Sequence, residues 1–600
     1  MPPWQHYDEP THFEYAWWVA NHGRLPTEGD YDTNMRREVA ASMVEHHFFD
    51  NLQPPNLLLN KTWIGISQTT DPPLYYLFVA IPLWFLRGAD VTMQLHAARV
   101  VSFGMFLLIL WTCYLLTVEI FPEKKTLQWL IPLGIALIPA FVDLMTAVNN
   151  DVGATLAFTL FLWMGTRFIH KPLSFKNILG LGLVVGICVL TKNTIFIAVP
   201  MGVLLIFLKF SLSPTWWRYL AWGGTAILCI GTALFLFSRA DAAAWYRSRI
   251  SVQQDQSTQS KLGDGNAVLT IQFSPEEKTA LTLSQPLPLE TIKTLAGKPY
   301  TLGGWLWAST SVEVQLPTLI IDGTANFETA TVATTPTFFV VSEIMPAAPS
   351  LVSILLDPFE TPPDFPVTLF FDNLILVEGK FSAGPPPDFS PGNLTGSWGN
   401  EDFYNFVRNS DSETKWYTIK PALLYRFQEQ NNIPLYALPA LQDLPLTANF
   451  YRHTLVNLFE SFWGRFGWNH IGLSQEVYQF LAGFSLLGFL ASFIALSDFV
   501  KTSHNTRFLL FWFAACASLI WIAALARQGL PFWDAQVFTP SARYAYPAIF
   551  PTSLAIFVGW QKIPFISKKF SNWGYLAIAI LIVLDITSLF VLLDFYHTVQ

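Results

Sequence analysis

Four short constellations in this sequence bring carboxylates, cations and hydroxyls together at spacings that could do chemistry. The first is Tyr7-Asp8-Glu9-Pro10-Thr11-His12, two adjacent carboxylates and an imidazole ahead of an aromatic, helix-like stretch, Phe13–His22. A carboxylate there can serve as a general base that takes the proton of an attacking hydroxyl. Read locally, the same residues start a helix, with Asp8 or Thr11 as cap and Glu9 near the positive end of the dipole. The second is Thr70-Asp71-Pro72-Pro73-Leu74-Tyr75-Tyr76. Its prolines fix an extended lead-in to a short helix, with Asp71 at the mouth; the plain alternative is an interfacial turn with a tyrosine belt. The third is Asn149-Asn150-Asp151, between two apolar runs, where local chemistry favours helix capping. The fourth is Arg543-Tyr544-Ala545-Tyr546-Pro547. Its arginine can hold a phosphate through two parallel bonds, or snorkel to lipid headgroups.

The elements that must position these residues are membrane helices. Of 600 residues, 52% are hydrophobic and only 13% charged, against about 25% charged in soluble domains. Apolar runs long enough for about 30 Å of hydrocarbon lie at Ala97–Val118, Leu127–Val148, Val152–Ile169, Ile178–Thr191, Ile195–Phe210, Trp216–Phe237, Tyr478–Val500, Phe508–Ala526, Ala542–Trp560 and Tyr575–Leu593. Pro73–Leu86 is shorter, rising about 21 Å, and suits a re-entrant or interfacial helix. The fold class expected is therefore a polytopic α-helical membrane protein of about 10–11 transmembrane or re-entrant helices with an inserted β-sandwich. Cys113, Cys188, Cys229 and Cys516 all fall inside apolar runs with no CxxC pair, and read as small core residues. The opening Met1-Pro2-Pro3-Trp4 has no basic segment before an apolar one, so no cleavable signal peptide is expected.

Basic loops set the sidedness. Lys124 and Lys125, then Arg167, Lys171 and Lys176, and the loops Lys209–Arg218, Lys501–Arg507 and Lys562–Lys569 carry most of the juxtamembrane positive charge. With these on the cytoplasmic side, residues 1–72, the Asn149-Asn150-Asp151 turn, the block 238–476 and Arg527–Ser541 share the opposite, extracytoplasmic face, provided Pro73–Leu86 does not span. The division expected is a first loop over 1–72, membrane helices over 73–237, a β-sandwich over 238–381, a linker with amphipathic interfacial helices over 382–476, and membrane helices over 477–600. The net charge of −8 is thinly spread and implies no nucleic-acid partner.

Strand-like runs occupy the middle block: Ala267–Phe273, Tyr300–Trp307, Val312–Leu316, Phe338–Ser342 and Thr368–Leu376, with Gly, Pro and Asp between them. Such runs predict an antiparallel sandwich. Trp305 and Trp307 share one face by alternation and read as core. Beyond the linker Gly384-Pro385-Pro386-Pro387, Lys420–Gln430 and Thr447–Phe462 read as amphipathic helices, and the aromatic stretch Phe459–Trp468 as an interfacial anchor.

Taken in order, Asp8-Glu9-Pro10-x-His12, Pro72-Pro73-Leu74-Tyr75-Tyr76, Ala98-Arg99-Val100-Val101-Ser102, Pro139-Ala140-Phe141 with Asn149-Asn150-Asp151, and Ala542-Arg543-Tyr544-x-Tyr546-Pro547 resemble the GT-C superfamily of membrane glycosyltransferases. Protein O-mannosyltransferases and lipid A aminoarabinose transferases belong to that superfamily. So do bacterial GT-C-like membrane proteins of unknown function, which share the opening Pro-x-x-x-x-Asp-Glu-Pro-x-His-Phe and the late Arg-Tyr-x-x-Pro. The resemblance covers residues 1–237 and about 450–595. Separately, Tyr300–Trp305 and Phe371–Glu378, with its Asp372-Asn373 pair, resemble jelly-roll carbohydrate-binding modules.

The GT-C resemblance implies an inverting transfer of a sugar from a polyprenyl-phosphate donor to a glycan, lipid or protein acceptor on the extracytoplasmic face of the plasma (inner) membrane. It implies Asp8 as base or acceptor-orienting carboxylate with Glu9 beside it, Asp151 as a second acid, and Arg543 near the lipid phosphate. His12, Asp71, Tyr75, Asn150 and Tyr544 complete the candidate substrate-binding set. Two departures stand out. Only Met1–Tyr7 precede the Asp-Glu pair, where the family has a transmembrane helix. Asp71 stands where several relatives carry a phosphate-holding histidine or lysine beside Pro-Pro. Family members differ on metals, so a divalent metal stays open, while no His/Cys cluster with ligand spacing appears and no cofactor or metal ligand is assigned. The competing expectation is a non-catalytic membrane protein that binds or assembles surface glycans through its sandwich. A secondary transporter fits less well, because the acidic candidates sit at span ends; Asp143 and Lys192 are the exceptions.

Overall fold

The computed structural model describes residues 1–27, 29–49, 62–211, 223, 230–231, 237–247, 267–275, 282–361, 363–419, 437–500, 504–527, 541–561 and 573–598. It divides into two compact units, Met1–Thr225 with Thr454–Ala524 and Thr539–Gln600, and Ala226–His453 with Leu525–Phe538.

The first unit is helical. In chain order its first part holds α1 (Glu9–His22), α2 (Thr33–Glu45), α3 (Leu74–Phe85), α4 (Val91–Ile120), α5 (Lys125–Ala136), α6 (Pro139–Met145), α7 (Asn150–His170), α8 (Phe175–Thr191) and α9 (Ala198–Ser211). Helices Gln475–Val500, His504–Arg527, Ile549–Trp560 and Trp573–Thr598 follow. Among the described residues six helices are long and apolar enough to cross a membrane, as a multi-pass membrane protein requires, and α5 with α6 make a seventh passage if that bent pair is one span. Apolarity runs all round these helices. On α4, Leu95, Ala98, Phe106, Ile109, Cys113 and Leu116 are buried while Phe103, Leu107, Leu108 and Trp111 are exposed, the pattern of a helix packed on one side and bathed in lipid on the other. Close crossings use glycine: a Cβ on Gly559 would overlap the Gly488 carbonyl of Gln475–Val500.

Two expected spans are broken, and each break has a local cause. Leu127–Val148 is not one helix but α5 and α6, bent by 69°. Pro139 begins α6 and pushes Ile138 into extended backbone (φ −88, ψ 107), which ends the preceding helix. The break between α8 and α9 was expected from the sequence: there Lys192 is extended (φ −161, ψ 140), with a single 3₁₀ turn, Asn193–Ile195, after it. Ala542–Trp560 also opens as 3₁₀, Ala542–Ala548, before the α-helix Ile549–Trp560. Irregular backbone in a membrane-type helix bundle is tolerated where it lines a polar site. α3, at 12 residues, is as short as its sequence implied. The run Trp216–Phe237 falls almost wholly outside the described residues, and Lys420–Gln430, Cys229 and Lys562–Lys569 fall wholly outside them.

The second unit is antiparallel β. Strands Thr337–Ile344, Pro299–Ala308, Val367–Glu378 and Leu269–Phe273 form one sheet in that order. Tyr246–Arg247, Leu283–Pro286, Val352–Leu356, Thr318–Ile321 and Thr324–Ala325 form a second. A buried core of Leu302, Leu306, Val341, Ile354, Leu369 and Leu376, among others, belongs to both sheets. The Asp372-Asn373 pair is a bulge: the register against Pro299–Ala308 shifts between Asp372 and Ile375, and Asn373 has φ 45. Asn393 Nδ2 donates to Asn373 Oδ1 at 2.6 Å, and Asn405 brackets the bulge through Leu374 O and Leu376 N. Gly304 makes room for it, since a Cβ there would stand 2.6 Å from Leu374 Cδ2.

Strand pairing continues past residue 381, where a linker was expected. Asp388–Phe389, Thr395–Trp398 and Glu401–Tyr404 make a meander whose Trp398 and Phe403 pack with Phe338, Ile375, Val377 and Trp305. Its strands are two to four residues long, too short for an alternation to register against the flanking prolines. Lys415–Ile419 pairs with Phe237–Ala242.

Candidate active site

The candidate residues of the first unit converge where four chain breaks meet: the start of α1, the α6–α7 turn, the α8–α9 break and the 3₁₀ turn Ala542–Ala548. Asp8 adopts left-handed backbone (φ 54) and makes no cap hydrogen bond to α1; the expected capping role fails here, as it does for Thr11, whose hydroxyl donates to Asp8 O. Asp8 instead pairs with Arg543, Nη1 to Oδ2 at 2.7 Å. The guanidinium carbon of Arg543 lies 3.8 Å from the ring centre of Tyr7 and 4.8 Å from that of Tyr544, and its Nη2 donates to Tyr544 Oη at 2.7 Å. Arg543 is buried, and its Nε has no hydrogen-bond partner.

Asn149 caps α7 as its sequence predicted, its side-chain oxygen accepting from Asp151 N at 2.9 Å. The same residue ties three segments together, since its N donates to Tyr75 Oη and its Nδ2 to Tyr7 O. Tyr75 Oη also shares a hydrogen bond with Ser102 Oγ at 2.9 Å. The α8–α9 break delivers Lys192 to the start of α7: Nζ lies 2.6 Å from Asn150 Oδ1 and 2.7 Å from Asp151 Oδ1. Asp151 Oδ2 is buried without a hydrogen-bond partner. Gly153 permits this approach, because a Cβ there would stand 2.9 Å from Thr191 Cγ2 and 3.1 Å from Tyr75 Cβ.

From Asn150 the polar chain continues. Asn150 Nδ2 donates to Asp71 Oδ2 at 2.7 Å, Tyr76 Oη donates to the same oxygen at 3.2 Å, and His12 Nδ1 lies 2.8 Å from Tyr76 Oη. Burial, with the charges of Lys192 and Arg543 adding to it, holds His12 well below the usual imidazole range, so it is neutral at pH 7. Burial lifts Asp71 above the ordinary carboxylate range despite Lys192, Tyr76 and Asn150. The position where a phosphate-holding cation was missing is therefore faced by a cation from elsewhere in the chain.

Glu9 is occupied differently. It is fully buried, accepts from Arg99 Nε at 2.8 Å and Nη2 at 2.6 Å, and takes Val148 N at 3.1 Å. Burial raises its pKa, but Arg99, His6 and Val148 more than offset that and leave it below the ordinary value. Arg99 also donates to Met1 O and Pro2 O. Glu9 thus tethers the chain start to α4 and to the α6–α7 turn.

All nine sequence candidates, Asp8, Glu9, His12, Asp71, Tyr75, Asn150, Asp151, Arg543 and Tyr544, lie in this one network. Lys192, Arg99, Tyr7 and Tyr76 join it without having been assigned a role from sequence. Arg99 and Tyr76 stand inside quoted motifs, and Lys192 was visible as a charged residue at a break between apolar runs. No group of three or more His, Cys, Asp or Glu among the described residues could hold a metal ion.

No family model and no curated protein matches the chain. Solved structures that match include one titled "CBM4 structure and function", 19% identical over 22% of this chain and 86% of that one, with a TM-score of 0.17. Another is the enzymatically active domain of tailspike protein 4 of bacteriophage CBA120, 13% identical over 23% of this chain and 20% of that one, also at 0.17. Neither match bears on what this chain does.

Proposed function

We propose that the chain is a membrane glycosyltransferase that moves a sugar from a polyprenyl-phosphate donor to an extracytoplasmic acceptor with inversion. The observation that carries this reading is the 2.7 Å pair between the first-loop carboxylate Asp8 and the late Arg543, with the Lys192–Asp151 pair close by across Tyr544. Transfer from a lipid phosphate requires cationic or hydrogen-bond stabilisation of charge growing on the leaving oxygen, and a carboxylate to take the acceptor's proton. Arg543, with Nε unengaged, supplies the first. Lys192 supplies a second cation beside the N-terminus of α7, an end that itself favours anions.

Buried mixed charge of this kind costs folding energy unless every partner is satisfied. Unsatisfied atoms on both Arg543 and Asp151 favour a ligand-binding role over a purely structural one. The test is transfer from extracted polyprenyl-phosphate sugars in membranes carrying wild type or Asp8→Asn. The reading expects a loss on the order of 100-fold in the variant, because Arg543 loses the carboxylate that holds it at the leaving oxygen; equal turnover would remove Asp8 from the reaction.

A further inference from the structure

A small polar cleft of about 30 Å³ adjoins Arg543, and Asp143, Arg465, Ser461, Ser541 and Asn469 line it with Arg543 itself. Asp143 belongs to α6, the short helix created by the break at Pro139, and its carboxylate is only partly exposed, at 13%. His6 Nδ1 lies 3.1 Å from Asp143 Oδ1, and His6 is buried.

A base must present a lone pair toward open space. The other carboxylates of the site are engaged. Asp8 pairs with Arg543 and Glu9 takes three donors. Asp71 accepts from Tyr76 and Asn150. Asp151 pairs with Lys192 and is fully buried. Asp143 lines the cleft together with Arg543, two serines and Arg465, which is itself paired with Glu460. A ligand phosphate on the arginine side would set an acceptor hydroxyl against Asp143.

On the reading of the site as a glycosyltransferase, we propose that this cleft receives the acceptor's hydroxyl, that Asp143 is the carboxylate that takes its proton, and that His6 is the positioning residue beside it. The acceptor oxygen forms the new bond to the anomeric carbon. The bond from that carbon to the phosphate oxygen breaks, its electron pair going to the phosphate beside Arg543. The acceptor's proton passes to Asp143 and is lost to water in the cleft. Asp8 then serves by holding Arg543 in place. Arg99, Tyr546 and Tyr596 are the other charged or titratable groups near Asp143, and Glu9 is near His6.

The experiment compares wild type, Asp143→Asn, Asp143→Glu and His6→Gln as full chains in membranes. Asp143→Asn should lower kcat on the order of 100-fold or more with donor KM unchanged, and Asp143→Glu should recover part of the rate. His6→Gln should lower kcat by less than Asp143→Asn and leave donor KM unchanged; a merely structural role would lower the amount of folded protein and leave kcat per folded molecule intact. In parallel, carbodiimide labelling read by mass spectrometry should modify Asp143 and not Glu9, and farnesyl phosphate should protect Asp143. Wild-type kcat in Asp143→Asn, or labelling of Asp143 that farnesyl phosphate leaves unchanged, overturns the assignment while the glycosyltransferase reading stands. No transfer by wild type from any donor overturns both.

Discussion

The two units both bury arginine–carboxylate pairs and differ in how many charges they gather and in what those charges line. In the β unit, Asp443 takes both Nη atoms of Arg408, at 2.8 and 3.0 Å, and Tyr246 Oη at 2.9 Å, while Arg408 Nε stays without a partner. Its tryptophans are packed as well: Trp398 stacks on Phe381, and Trp307 on Phe370. The helical unit gathers Asp8, Glu9, Asp71 and Asp151 against Arg99, Lys192 and Arg543, leaves Arg543 Nε and Asp151 Oδ2 unmatched, and sets Arg543 against a cleft. A buried charged pair anchors a fold, and one that also lines a cleft can meet a ligand. On the proposed reading the chemistry belongs to the helical unit, and the aromatic faces of the sandwich are architectural.

The strongest way to break that contrast is a pair of substitutions of similar energetic size. Arg99→Ala strands the buried Glu9 and should cost about 3–5 kcal/mol, lowering the melting temperature in detergent and abolishing transfer together. Trp398→Ala should cost about 3–5 kcal/mol as a large-to-small core change, yet leave transfer per folded molecule unaltered; a selective loss of kcat would give the sandwich a catalytic role. Next in size, Arg543→Gln removes a donor to the leaving phosphate and should lower kcat about 10²–10³-fold, with thermal stability changed far less than by Arg99→Ala. Gly153→Val drives a side chain into Thr191 and Tyr75 and should cost about 1–3 kcal/mol, with transfer falling further than stability because Lys192 is displaced from Asp151.

The smallest effect sharpens the electrostatic side. His12 resists protonation in the folded chain, so the unfolded chain takes that proton first as pH falls through 6.5. Stability should therefore drop between about pH 7 and 5, and His12→Gln should flatten that part of a melting-temperature series. An unchanged slope would mean that His12 is accessible to protons in the folded state.

Much of the helical unit was legible in sequence because apolar length is a physical requirement of the bilayer. Val91–Ile120 and Asn150–His170 enclose the runs predicted for them. The break at Ile138 was legible in principle through Pro139, but an unbroken apolar run hid it. The strands were legible through alternation, and Gly303-Gly304 turned out to seat Leu374 and Ile375, the residues that follow the Asp372-Asn373 pair at the bulge. The site was legible as a set of residues and illegible as a set of pairs. Nothing local links Asp8 to Arg543, or Glu9 to Arg99, 90 residues away, and Lys192 reaches Asp151 only because the chain breaks after Thr191. Long-range pairing is set by packing between helices, which a one-dimensional pattern does not carry.

The central claim, that Asp8 and Arg543 act as one device on the leaving phosphate, is tested most directly by a double-mutant cycle of transfer rates in membranes: wild type, Asp8→Asn, Arg543→Gln and both together. A coupled pair predicts that the double variant is little slower than Arg543→Gln alone. Losses that multiply independently, or a double variant at the wild-type rate, would contradict it.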